Sequence, residues 1–251
     1  MSKRLFLIAT LLIVSLPVWA QINQALAMSE SLAYTARFNE TDRRQLEIIR
    51  KLSPAFLVQN LKTDNQKNAF WLNVYNSLML IKLKDTLNEG MYTRFYKIKN
   101  ITIAGKAFSL FDIEHEFLLA GKKMKSKGFR KSRLDTTWIK LRPSAINPKV
   151  VFCMYHGLYG YAPFQSVENG DIDQAFANIK PTFQVIKGNS IIIYDWIKPY
   201  KKLIPNIESI IIDSYSPVYQ TAPLAVYIKN FYPKYEGVKF KEEEINPWLK
   251  K

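Results

Sequence analysis

The stretch AFWLNVYNSLML, Ala69 to Leu80, decides how the chain folds. Phe70, Val74 and Leu78 recur at helical spacing, Ile81 continues the stripe, and Trp71 and Tyr75 widen it. The spacing predicts a helix from Thr63 or Asp64 to about Lys84, central to the core. Two asparagines interrupt the apolar run. Asn73 and Asn76 lie three residues apart and share part of one helix face. Asparagine is costly to bury unpaired. The pair therefore either faces solvent or makes specific hydrogen bonds beside the stripe, with Asn73 a candidate binding residue and Asn76 a candidate catalytic one.

On the N-terminal side, two further helices are expected, Gln24 to Ala36 and Thr41 to Gln59. Thr41 is the natural N-cap of the second, and Pro54 kinks or divides it. On the C-terminal side the period changes. Phe95 to Lys99 and Ile101 to Ala104 alternate like strands, and Ala104-Gly105-Lys106 reads as a turn. Ser109 is placed to cap a short helix running to Leu119. A helix from Asp171 to about Ala177, a β-branched strand Ile191 to Tyr194 and a helix within Pro217 to Phe231 complete the reading. Helices first and scattered strands later predict one α+β domain over residues 21–251, its N-terminal helices packed on a small, largely antiparallel sheet.

Two segments collect groups that could carry chemistry. In SLFDIEHEF, Ser109 to Phe117, His115 stands between Glu114 and Glu116, with Asp112 three residues earlier. A carboxylate near a histidine raises its basicity and fixes its tautomer, as a general base requires. Acidic residues early in a helix also answer its dipole, so the pattern by itself leaves both readings open. The second segment is VVFCMYHGLYGYAPF, Val150 to Phe164, which holds the only cysteine and one of the two histidines. Bounded by Asn147-Pro148 and Gly157, Val150 to Tyr155 reads as a strand apolar on both faces. Cys153 on such a strand is a buried, inert thiol. His156 falls at its end, where functional side chains project.

In this order the three segments resemble the family catalogued as domain of unknown function 547. Phe70-Trp71-Leu72-Asn73-Val74-Tyr75-Asn76 matches its Phe-Trp-aliphatic-Asn-aliphatic-Tyr-Asn helix. Ser109-Leu110-Phe111-Asp112-Ile113-Glu114-His115 matches its Ser-Leu-x-x-Ile-Glu-His element. Asn147-Pro148-Lys149, Phe152 and Gly157 fit its third element, a strand and turn that continues into Ser-Cys-Pro. The resemblance covers roughly Gln59 to Tyr200. It implies comparison with cysteine hydrolases and a papain-like, cysteine-hydrolase-like fold. The chain departs from that pattern where the nucleophile would be: His156 stands at a usual cysteine, and Gly160-Tyr161-Ala162 replaces Ser-Cys-Pro. Tyr161 offers a phenol, a poor nucleophile at neutral pH. The resemblance thus implies a cleft lined by His115, Asn76, His156 and aromatics including Tyr155, Tyr159, Tyr161 and Phe164, serving as a binding site or a relic.

The first twenty residues, MSKRLFLIATLLIVSLPVWA, read as a secretory leader cleaved after Ala20, with Lys3 and Arg4 before the apolar run and Pro17 interrupting it. A periplasmic or secreted protein is expected, not an integral membrane protein once the leader is removed. Lys and Arg number 36 against 21 Asp and Glu, a net +15, and two of those cations leave with the leader. Seven basic residues and no acid sit in GKKMKSKGFRKSR, Gly121 to Arg133, which reads as a surface loop or an anion-binding patch. One cysteine and two widely separated histidines match no zinc spacing. No glycine-rich phosphate loop or dinucleotide motif occurs, so neither metal nor cofactor is expected.

Two function classes follow. The first is a non-catalytic binding or scaffold domain of the envelope, its partner an anionic envelope component, a glycan or a peptide and not nucleic acid. The alternative is a hydrolase or transferase acting on amide bonds of peptide or cell-wall material. It would use His115 as base, Glu114 or Asn76 to orient it, and Cys153 or an activated water as nucleophile.

Overall fold

The computed structural model describes residues 23–38, 43–85, 92–122, 134–157, 162–179, 185–187, 190–194, 197–215 and 225–229. The leader, Thr41, nearly all of the basic loop, Tyr159, Tyr161 and the stretch from Pro217 to Pro223 lie outside those residues.

The chain opens with four helices, α1 (Gln24–Arg37), α2 (Arg43–Lys51), α3 (Pro54–Asn60) and α4 (Asp64–Asp85). Helix α4 is the axis of the core, and every residue from Asn68 to Leu80 is buried. The apolar stripe read from the sequence therefore understates it, because neighbours cover its whole circumference. Pro54 divides the expected second helix: Ser53 caps α3 by accepting from the Phe56 amide at 3.0 Å, and Pro54 takes the first turn, where no N–H is needed. Asn23 caps α1 and donates to the Asn60 carbonyl at 2.6 Å, tying the first helix to the end of the third.

A hairpin follows, β1 (Ile101–Ile103) against β2 (Lys106–Phe108). Its two turn residues, Ala104 and Gly105, have φ of 46° and 76°, as the tight hairpin turn between right-twisted strands demands. The same two amides donate to the Ile49 and Arg50 carbonyls at 3.0 Å each, so the turn also satisfies open carbonyls at the end of α2. Between α4 and β1 stands helix α5 (Tyr92–Lys97). The strand expected from Phe95 to Lys99 is thus helical through Lys97. The helical turn buries Phe95 and leaves Lys97 exposed, so tertiary contact outweighs a short alternation of apolar and basic residues.

Ser109 caps helix α6 (Leu110–Ile113) in a reciprocal box with Asp112: the Asp112 amide donates to the serine hydroxyl at 3.0 Å, and the Ser109 amide donates back to the carboxylate at 2.9 Å. The chain then widens into a π-turn, Glu114–Leu118, closed by the Leu119 amide on the Glu114 carbonyl at 2.8 Å. Short helices α7 (Thr136–Ile139), α8 (Pro148–Cys153), α9 (Ile172–Ile179), α10 (Lys198–Lys201) and α11 (Ile207–Tyr215) alternate with a second sheet. In it β3 (Val185–Lys187) pairs antiparallel with β4 (Ser190–Tyr194), and β4 pairs parallel with β5 (Ala225–Lys229). The fold is α+β and mostly helical, with its sheets small.

Two further segments differ from expectation. Val150 to Cys153, read as a strand, lies in helix α8. Asn147 caps it through the Lys149 amide at 3.0 Å and Pro148 occupies its first turn. A short apolar run looks the same whether it is a buried strand or a buried helix, and Asn-Pro starts a helix as readily as it bounds a strand. Within Pro217 to Phe231, the described residues Ala225–Lys229 form a strand rather than a helix. Their sequence, AVYIK, is rich in the β-branched and aromatic residues that suit pairing with β4.

One contiguous core runs through these elements. At its centre Trp71 stacks on Phe117 with ring centroids 3.7 Å apart and planes 8° from parallel. Phe108 and Trp138 close the cluster edge-on, 4.9 Å apart. The Trp71 indole N–H donates to the Leu141 carbonyl at 3.0 Å. Among the described residues, no helix is long and apolar enough to cross a membrane.

Candidate functional site

Helix α4 presents its buried asparagines to the backbone of Cys153, Tyr155 and Val167. Asn73 accepts from the Val167 amide at 2.7 Å and donates to the Val167 carbonyl at 2.9 Å. Asn76 accepts from the Tyr155 amide at 2.8 Å and donates to the Cys153 carbonyl at 3.1 Å. Each side-chain amide behaves like a peptide group of a neighbouring strand. Tyr155, anchored by Asn76, also forms a parallel bridge with Ala162. Of the two possibilities open in the sequence, the structure realises the second: both asparagines are buried and hydrogen-bonded.

His156 follows the anchored Tyr155, and Gly157 makes the turn after it with φ of 65°. A Cβ at Gly157 would stand 2.0 Å from the Leu83 Cδ1, the end of a side chain that can shift, so it is the backbone conformation that calls for glycine there. His156 is 7% exposed. Its Nδ1 lies 3.4 Å from the Tyr75 hydroxyl.

The Tyr75 hydroxyl also reaches Glu114, donating to Oε2 at 3.3 Å. Glu114 is 1% exposed, an unusual place for a carboxylate. Two more phenols satisfy it. Tyr200 donates to Oε1 at 2.8 Å, and Tyr96 makes a short hydrogen bond to Oε2. The π-turn sets Glu114 toward α4, α5 and α10 while its neighbour His115 lies against Phe111. The His115 ring stacks on that phenyl at 4.0 Å, and its Nδ1 is 3.0 Å from the Phe111 carbonyl. Since a carbonyl only accepts, Nδ1 of His115 carries the hydrogen. Asp112, three residues before the histidine, is engaged in the Ser109 box and pairs with Lys99 at 3.2 Å.

Burial pushes the His156 pKa down, with the Glu114 charge pulling against it. The sign is then fixed. The unfolded chain takes up this proton at the ordinary histidine pKa of 6.5, the native protein only at lower pH. Stability is full above that value, falls as pH drops below it, and stops falling on this account once the native site is protonated. Thermal melts from pH 7.5 to 4.5 are expected to show this decline, and His156→Gln should flatten it. An equally steep decline in the variant would assign the loss elsewhere.

Cys153, at the end of α8, is fully buried. Burial raises its pKa well above the ordinary thiol range, against a weaker opposing hydrogen bond from the Gln165 side chain and the charge of Lys149. Tyr155, also buried, has its phenol pushed up by desolvation.

The structure thus brings Glu114 and His156 together through Tyr75 and commits Asn73 and Asn76 to backbone. It stacks His115 on Phe111, and Tyr159 and Tyr161 lie outside the described residues. Sequence reasoning missed Tyr96, Tyr200 and Gln165. The first two come from separate helices, and nothing local marks them as partners of Glu114. Tyr75 carries a signal in its place between Asn73 and Asn76, though the helical period marks it only as apolar cover. Among the described residues, no three His, Cys, Asp or Glu side chains are grouped as a metal site would need.

No curated protein and no solved structure matches the chain. A family model does. It begins one residue before Gln59, includes the asparagine helix, the Glu114-His115 turn and Cys153 through Gly157, and ends short of Tyr200. The match spans residues 58–183, half of the chain, and the protein belongs to the family described as Protein of unknown function, DUF547.

Proposed function

We propose that this is an exported envelope protein whose domain binds or scaffolds without catalysis, taking an anionic envelope component, a glycan or a peptide as its partner. The observation that carries this reading is the state of the thiol. Cys153 is enclosed at a helix end, its pKa is raised, and thiolates, not buried thiols, are the nucleophiles of cysteine hydrolases. The departure of Tyr161 from the family's Ser-Cys-Pro supports the same reading, since no second thiol exists. The basic balance of the chain favours anionic surfaces as partners.

The test uses the protein beginning at Gln21. Thermal-shift titration against peptidoglycan fragments, acidic glycans and anionic lipid micelles should give saturable stabilisation by at least one class. In the same preparation Cys153 should react with a small thiol probe at least about a hundredfold more slowly than in denaturant, because labelling waits for local opening. Fast native labelling that disappears in His115→Ala would overturn the reading in favour of a covalent amide hydrolase.

The cysteine-independent form of the alternative, a hydrolase or transferase on peptide or cell-wall amides, draws support from one observation. A carboxylate, a phenol and an imidazole are placed in series at Glu114, Tyr75 and His156. Turnover of muropeptide amide bonds, abolished in His156→Gln, would establish it.

A further inference from the structure

We propose that Glu114 and Tyr75 are positioning residues for His156, holding its ring with the hydrogen on Nδ1 and the lone pair on Nε2. The hydrogens available to the three groups decide this. An ionised carboxylate only accepts hydrogen bonds. Glu114 meets three phenol hydroxyls, from Tyr75, Tyr96 and Tyr200, and each has one hydrogen to give. When Tyr75 gives its hydrogen to Glu114, its oxygen offers only lone pairs to the imidazole. The contact between that oxygen and Nδ1 of His156 is then a hydrogen bond only if Nδ1 is the donor. Nε2 becomes the basic nitrogen.

The order of the chain is therefore directional: His156 Nδ1–H to Tyr75 oxygen, Tyr75 O–H to Glu114. In the reverse order Tyr75 would donate to a bare Nδ1 and Glu114 would keep only the hydrogens of Tyr96 and Tyr200, leaving the Tyr75 hydroxyl oxygen and Glu114 Oε2 3.3 Å apart with no hydrogen between them. Three donors converging on one carboxylate are matched to the first order. Rigidity supports it too. Tyr75 is 0% exposed on the central helix, and Asn76, one position on, fixes the Tyr155 amide beside His156. The imidazole ring also packs edge-on to Tyr75, centroids 5.9 Å apart. The phenol thus sets both the distance and the plane of the ring. The tautomer assignment does not depend on whether the domain binds or catalyses. In either case the basic atom of His156 is Nε2, which is itself buried.

The chain has two histidines, so long-range proton–nitrogen correlation spectra of the 15N-labelled protein beginning at Gln21 contain two imidazoles, assigned by His115→Gln. At pH 7.5 the His156 ring is expected to show a pyrrole-type Nδ1 and a pyridine-type Nε2. Tyr75→Phe should move the His156 nitrogens toward the mixed-tautomer average or the Nε2–H form, and leave those of His115, whose Nδ1 is held by the Phe111 carbonyl, unchanged. Tyr200→Phe removes a different phenol from Glu114 and should preserve the wild-type tautomer of His156. A wild-type His156 protonated at Nε2 overturns the proposal whatever the variants do. A folded Tyr75→Phe protein with unaltered His156 nitrogens also overturns it. Should Tyr75→Phe fail to fold, Glu114→Gln takes its place: the proposal requires its His156 nitrogen shifts to move, and unmoved shifts overturn it.

Discussion

Asn76→Ala is expected to lower the unfolding free energy by roughly 2–5 kcal/mol, because it strips partners from two buried backbone groups at once. The Tyr155 amide loses its 2.8 Å acceptor and the Cys153 carbonyl loses its 3.1 Å donor. Both residues are about fully buried, so water cannot take over. Asn76→Asp sharpens the test. It keeps an acceptor for Tyr155 but turns a second oxygen toward the Cys153 carbonyl, so it should be no better than alanine. Urea unfolding with an unchanged slope would give the number directly. A loss below about 1 kcal/mol would mean that the Cys153 and Tyr155 backbone groups find other partners and that Asn76 is not their anchor.

Trp71→Ala is expected to cost roughly 3–5 kcal/mol, the range for emptying a large aromatic site in a packed core. Its indole stacks on Phe117, touches Phe70 edge-on at 5.1 Å and fills the axis that all neighbouring elements share. Trp71→Phe separates packing from hydrogen bonding. Phenylalanine keeps a ring against Phe117 but leaves the Leu141 carbonyl without the indole N–H, so about 1–3 kcal/mol should be lost. If alanine and phenylalanine cost the same, the hydrogen bond dominates and the stack contributes little. Near-neutrality of both would remove Trp71 from the centre of the core.

Local rules read directly from the sequence served well where the chain's own neighbours satisfy it. Ser109 as a cap, the turn at Ala104-Gly105 and the helix carrying Asn73 and Asn76 each rest on groups within a few positions of one another. The readings failed where a short segment could satisfy two geometries. Val150 to Cys153 is apolar enough to be buried either way, and Ala225–Lys229 lay within a longer stretch read as one element. Phe95 alternates with its neighbours in sequence yet sits on a helix whose next residue, Tyr96, meets Glu114.

The candidate site divides along the same line. Glu114, His115, Asn73, Asn76 and His156 could be singled out because polar residues inside apolar runs are costly unless they have partners. Who those partners are could not be read. Glu114 is met by Tyr75, Tyr96 and Tyr200, which come from three helices, the last of them 86 residues away in sequence. Hydrogen-bond partners at that separation are chosen by how helices pack, and packing depends on shape complementarity over the whole core rather than on any local pattern.

By itself the amino-acid sequence determined the α+β class, the central helix, the family and the burial of the lone thiol, all of which follow from composition, period and short motifs. Only the tertiary structure decided that the cysteine segment is a helix, that the two asparagines serve as backbone clamps, and that Glu114 answers to three tyrosines. Period and propensity act over a few residues. The free energy of a buried hydrogen bond depends on which distant group arrives opposite it, and that is fixed when the core closes.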